Sequence, residues 1–123
     1  MSNKIAVVVL AAGSSKRMGK PKQLLKWGNE TLITHTIQTS LKLNTHEFYV
    51  VLGANFQLIE KTINHFPITI LNNENWEQGL GTSIACASKH ILNQKLKIDA
   101  VLFILADQPF ITSDYLNKIV SSF

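Results

Sequence analysis

The chain has 123 residues, 46% hydrophobic and 16% charged, with a net charge of +4. That balance describes one folded domain with a single core and excludes a disordered chain. The charge is lopsided: Lys4, Lys16, Arg17, Lys20, Lys22 and Lys26 all precede the first acid, Glu30, and from Glu30 onward six basic residues face eight acidic ones. Cations gathered in one stretch suit a compact polyanion such as a nucleoside triphosphate. A nucleic-acid surface spreads Lys and Arg over several elements with aromatics between them, so no nucleic-acid partner is expected. No apolar run approaches the ~18 residues of a membrane span, so no membrane partner is expected either. The start, Met1-Ser2-Asn3-Lys4, leads straight into an apolar run without the pattern of a secretory leader. One cysteine, Cys86, allows no internal disulfide and fits a reducing compartment, so the expected location is the cytoplasm.

In chain order, Ile5–Leu10 is apolar and β-branched, the signature of a strand buried on both faces. A small, then densely basic loop follows, Ala11 to Lys22. Gly28-Asn29 signals a turn, and Thr31 caps a helix to about Leu43, with Leu32, Ile33, Ile37 and Leu41 at helical spacing. Glu47–Leu52 reads as a second strand ending at Gly53-Ala54-Asn55. A helix from about Phe56 to His65 stops before Pro67, and Ile68–Leu71 is a short third strand. A polar loop, Asn72 to Gly81, leads into a helix from Thr82 or Ser83 to about Asn93. Ala100–Ala106 is a fourth strand, ending in Asp107-Gln108-Pro109, and a last helix begins near Thr112. This β-α alternation predicts a Rossmann-like α/β domain over 1–123, three-layer α/β/α, with a mostly parallel sheet. In such sheets ligands bind beyond the carboxyl ends of the strands, where the basic loop, Gly53–Asn55, Asn72–Gly81 and Asp107 all fall.

The basic loop is neither of the common phosphate patterns. Gly13 and Gly19 stand one residue too far apart for G-x-x-x-x-G-K-[ST], and Pro21 replaces the hydroxyl. Its chemistry still suits phosphate. Ala11, Ala12 and Gly13 leave the backbone open to close approach, and Arg17 and Lys22 are two cations able to grip different phosphates of one chain. Asp107 is placed to hold Mg²⁺ jointly with phosphate oxygens, or simply to form the turn before Pro109. The Asn72–Gly81 loop offers amide side chains for a base edge or a ribose, or asparagines that simply form turns, and Gly79 and Gly81 allow backbone approach ahead of a helix N-terminus. Trp76 reads as a packing residue. The four histidines lack metal-ligand spacing, and Cys86 reads as packed.

Leu10-Ala11-Ala12-Gly13-Ser14-Ser15-Lys16-Arg17-Met18-Gly19 with Lys22-Gln23-Leu24-Leu25 resembles the signature of the MobA/MocA-type nucleotidyltransferases. Asn73-Glu74-Asn75-Trp76-Glu77-Gln78-Gly79 with Thr82-Ser83, and Leu105-Ala106-Asp107-Gln108-Pro109-Phe110-Ile111, resemble segments of the molybdenum cofactor cytidylyltransferase branch. The resemblance implies a nucleotide-diphospho-sugar transferase-like fold, truncated at its C-terminus relative to longer members. It implies nucleotide contacts at Leu10, Ala11, Ala12, Gly13, Ser14, Gly53, Asn73, Gly79 and Ser83, triphosphate binding and catalysis by Arg17 and Lys22, and Mg²⁺ at Asp107. Ala12 and Gly53 favour CTP over GTP, and the implied acceptor is a molybdopterin-type phosphate. A nucleotide-binding module without catalysis, and transfer using another triphosphate or acceptor, are the alternatives. Surface left uncovered by the shorter chain would favour a homo-oligomer.

Overall fold

The seven residues of Ile5–Ala11 form β1, and every one is buried. A strand apolar on both faces can only be central. The computed structural model, which describes residues 4–14, 16–17, 19–43, 45–94, 97–106 and 113–121, places it so. The other strands are β2 (Glu47–Leu52), β3 (Thr69–Asn72) and β4 (Ala100–Leu105). Their order is β3-β2-β1-β4, and all three pairings are parallel. Val9 lies between Val50 on one side and Ile104 on the other.

Alternation along β1 divides the core into two layers. Val7, Val9 and Ala11 face Ile33 and Ile37 of α1 (Leu32–Leu41), Ile59 and Ile63 of α2 (Phe56–Ile63) and Leu116 of α4 (Ser113–Ser121). Ala6, Val8 and Leu10 face Ala87 and Ile91 of α3 (Leu80–Leu92). The expected three layers are therefore present, with α3 alone on its face among the described helices. Burying each of these valines and isoleucines favours folding by roughly 1.5–3 kcal/mol before entropy is counted.

The order of the strands sets where a ligand can enter. From β1 the chain moves outward to β2 and β3, then returns through α3 to the opposite side of β1. The helix that follows β1 and the helix that leads into β4 therefore lie on opposite faces of the sheet, and the adjacent carboxyl ends of β1 and β4 border a crevice.

The elements differ from the sequence expectations mainly at their ends. The α1 helix stops at Leu41 instead of Leu43, with Lys42 as its C-cap. The α3 helix begins at Leu80, two residues early, because Gly79 at φ 109° turns the chain and the Thr82 hydroxyl donates back to the Gly79 carbonyl at 2.7 Å. The segment expected as a plain loop holds a short antiparallel ladder, Lys16–Arg17 against Lys20–Pro21, and a 3-10 turn, Lys22–Leu24. A second small hairpin pairs Lys26–Trp27 with Glu30–Thr31 and delivers Thr31 as N-cap of α1, in a reciprocal cap with Thr34. Asp107 and the expected start of the last helix near Thr112 lie outside the described residues.

One buried contact holds α1 to the end of the sheet. The Thr36 hydroxyl lies 3.1 Å from the Ala106 carbonyl and 3.0 Å from that of Leu32. Thr36→Val keeps the shape and leaves the Ala106 carbonyl without this donor. The expected loss is about 1–2 kcal/mol in urea unfolding; an unchanged midpoint would show that the bond adds nothing.

Candidate functional site

At the crevice between β1 and β4 lies a cleft of about 350 Å³. Leu10, Ala11, Ala12, Gly13 and Ser14 form one wall, and Leu105 and Ala106 bring in the end of β4. The Lys22–Leu24 turn contributes Lys22 and Gln23. Trp76, Glu77, Gly79, Leu80 and Ser83 close the far side. Eight residues expected from the sequence thus line one cavity: Leu10, Ala11, Ala12, Gly13, Ser14, Lys22, Gly79 and Ser83.

Four successive carbonyls at the end of β1 are tied to three other points of the protein. Leu10 accepts from the Ala106 N–H at 3.1 Å and Ala12 from the Ala54 N–H at 3.0 Å. Ala11 and Gly13 both accept from the Gln23 side-chain amide, each at 3.0 Å. Carbonyls held in this way cannot turn freely toward a ligand in the cleft without losing these bonds. Across the cleft, Gly79 is the N-cap of α3 and supplies no side chain to the helix start. The Thr82 N–H bonds the Gly79 carbonyl at 3.1 Å, while those of Leu80 and Gly81 have no acceptor within the helix by geometry, so this end of a thirteen-residue helix is a positive pole beside the cavity. Lys22 adds a full positive charge on the opposite wall, and Glu77 is the acid among the lining residues.

Two expected contacts stand behind the cleft wall instead of in it. Asn73 is 3% exposed, and its amide donates at 2.9 Å to both the Thr82 and the Ser83 hydroxyls while its oxygen accepts from the Asn75 N–H. It therefore fastens the first turn of α3 to the loop after β3. At Gly53 a Cβ would meet Trp76 Cβ at 2.6 Å, Trp76 Cγ at 2.8 Å and Ala12 Cβ at 3.0 Å. The absence of a side chain there is what lets Trp76 lie against the end of β1. The expected packing role of Trp76 holds, and the residue also lines the cavity. The Arg17 side chain and Asp107 lie outside what is described, although Asp107 directly follows Ala106 of the cleft wall.

Gln23 was not expected to have a role. Its signal was a polar amide between Lys22 and the apolar Leu24-Leu25, at a place where the chain turns back to the core. Other chemistry lies elsewhere. The His35 ring pairs with Glu30 at 2.9 Å beside Trp27. Burial pushes the Cys86 thiol pKa up, which disfavours the thiolate a nucleophile needs. Tyr49 donates to Glu47, and burial first, then that carboxylate, raise its pKa. No described helix is long and apolar enough to cross a membrane.

Residues 7–123 match the model of the MobA-like NTP transferase domain. The chain belongs to that family. Among curated relatives, nicotine blue oxidoreductase of Paenarthrobacter nicotinovorans is 35% identical over 94% of this chain and 55% of its own length. Molybdenum cofactor cytidylyltransferase of Escherichia coli is 30% identical over 95% of this chain and 58% of its own. A nucleotidyl transferase from Methanothermobacter superposes with a TM-score of 0.84 at 25% identity, over 98% of this chain and 58% of that one. The chain thus spans somewhat more than half the length of these relatives.

Gly53→Ala should cost roughly 1–3 kcal/mol of stability, because backbone or indole must shift to admit the methyl. Urea unfolding followed by tryptophan emission measures it, and the native emission should shift as Trp76 is displaced. A variant as stable as the parent, with the same spectrum, would contradict the contact.

Proposed function

We propose that this chain carries the nucleotide half of a Mg²⁺-dependent nucleotidyltransferase. In this reading it transfers CMP from CTP to the phosphate of a molybdopterin-type cofactor and releases pyrophosphate. The observation that carries the reading is the cleft itself, where the loop after β1, Lys22 and the uncapped start of α3 converge on one cavity. These groups together suit a chain of phosphates. The relatives support the class of reaction but do not choose the acceptor, since one at 35% identity is named an oxidoreductase and one at 30% a cytidylyltransferase.

An acceptor phosphate oxygen attacks the α-phosphorus of CTP, the bond from that phosphorus to the bridging oxygen breaks, and pyrophosphate leaves with the bonding electrons. No group on the protein needs to exchange a proton. The work is alignment of the reacting atoms and neutralisation of the charge that develops on the leaving group. Lys22, on the cleft wall, and Arg17, from the same loop, would hold the β- and γ-phosphates. Backbone N–H groups of Ala12 to Ser14 and of the first turn of α3 would hold the remaining oxygens.

Among the described residues no group of three or more His, Cys, Asp or Glu could hold a metal. Mg²⁺ does not require such a cage. It is held by one or two carboxylates and completes its octahedron with phosphate oxygens and water. Asp107, next after Ala106 of the cleft wall, supplies one carboxylate of that kind, so the donor set fits a metal shared with the triphosphate. When bound, Mg²⁺ would offset the charge of the phosphates and favour departure of pyrophosphate.

Pyrophosphate release with CTP, Mg²⁺ and a molybdopterin-type acceptor tests the reading in a protein of the relatives' full length. Lys22→Ala and Asp107→Ala should each reduce it at least a hundredfold, and CTP should outperform GTP. Unchanged turnover in both variants would remove the mechanism. Nucleotide binding without turnover would select the second reading, a binding module.

The reading places the protein in the cytoplasm. It includes self-association along β4, which among the described strands pairs only with β1. Light scattering on the isolated chain should then give a mass above 13.7 kDa, and a strict monomer would remove that part.

A further inference from the structure

Gln23 lies in the middle of the Lys22–Leu24 turn and is 6% exposed. Its Nε2 spends both hydrogens on backbone carbonyls, those of Ala11 and Gly13, each at 3.0 Å. Its Oε1 is buried and accepts no hydrogen bond among the described residues. The amide cannot turn over to relieve this, because Oε1 would then oppose two carbonyl oxygens. A buried acceptor without a donor is costly, and an apolar side chain of the same length would avoid it. What Gln23 offers in return is the pair of bonds made by Nε2.

Those bonds set the direction of two peptide planes. No described peptide bond is cis. In a trans peptide the carbonyl of one residue and the N–H of the next point to opposite sides. With the Ala11 and Gly13 oxygens drawn to Gln23, the N–H groups of Ala12 and Ser14 point away from it. The Ala12 oxygen between them is drawn to Ala54 instead. The loop therefore cannot rotate a carbonyl toward an anion without breaking one of these three bonds.

We propose that Gln23 is a positioning residue for polyphosphate. Through Nε2 it locks the loop after β1 with its N–H groups available to the nucleotide and its carbonyls withdrawn. This rests on the nucleotide reading of the cleft. It goes beyond that reading in assigning the geometry of the loop to one side chain that does not itself need to touch the ligand.

Two variants test it, with CTP and Mg²⁺ binding measured by calorimetry and folding checked by circular dichroism. Gln23→Met fills the same volume and donates nothing, so CTP should bind at least tenfold more weakly. Gln23→Glu places a carboxylate against the two carbonyls. Its protonated form is favoured by burial and can return one donor. The ratio of its dissociation constant to that of the wild type should therefore be small at low pH and grow as pH rises. Referring each value to the wild type cancels the titration of CTP itself. Lys22 and Glu77, the described charged side chains on the same cleft, are common to both proteins. A Met variant that binds like the wild type, or a Glu variant whose ratio is flat with pH, overturns the role of Gln23 and leaves the nucleotide reading standing. A wild-type protein that binds neither CTP nor GTP overturns both.

Discussion

The carbonyls of Leu10, Ala11, Ala12 and Gly13 are the junction on which the rest of the site depends. Each accepts a hydrogen bond from a different part of the chain, except that Gln23 serves two of them. Through these bonds the end of β1 is fixed to β4, to the turn after the basic loop, and to the start of α2. A chain leaving a buried strand has polar backbone groups that must be satisfied. Here the protein satisfies the oxygens itself. The nitrogens on the far sides of those peptide planes take no part in these bonds, so the loop has a fixed polarity set by residues that carry no side-chain chemistry.

The opposite wall rests on a second set of supports. Asn73 holds the Thr82 and Ser83 hydroxyls, so the first turn of α3 is oriented by a buried amide. Trp76 fits over Gly53 and Ala12, so the 3-10 turn that precedes α3 packs directly on the end of β1. Residues that resemble ligand contacts in the sequence therefore act one layer back. They fix the spacing between the loop and the helix start, which determines whether both can reach one triphosphate.

Most of the fold was legible because the strongest signal, unbroken apolar runs alternating with helical periodicity, is produced by the core itself. The run at Ile5 to Leu10 is central for the same reason that it is readable: a strand covered on both faces has no polar positions to interrupt it. Helix ends were less legible. The early start of α3 depends on Gly79 adopting φ 109°, and a glycine does not announce which conformation it will take. The cleft was legible in its small and charged residues. It was not legible in Gln23, because its role depends on Ala11 and Gly13, ten and twelve residues away, being brought over its amide by the hairpin between them. Nor could spacing reveal that Gly53 is small to admit Trp76, a contact across 23 positions that only the finished sheet creates.

Topology explains why these supports collect where they do. The crossing from β3 to β4 carries the chain past β1 to the other side, so α3, which leads into β4, covers the face opposite α1 and α2 and brings its N-terminal end to the cleft beside β1. The crevice there is a consequence of strand order. Left to itself, such a crevice would expose backbone oxygens as readily as nitrogens. The tethered carbonyls, the uncapped helix start and Lys22 bias it toward anions. Because the bias comes largely from backbone directions, it depends more on the core that fixes those directions than on the side chains that line the rest of the cleft.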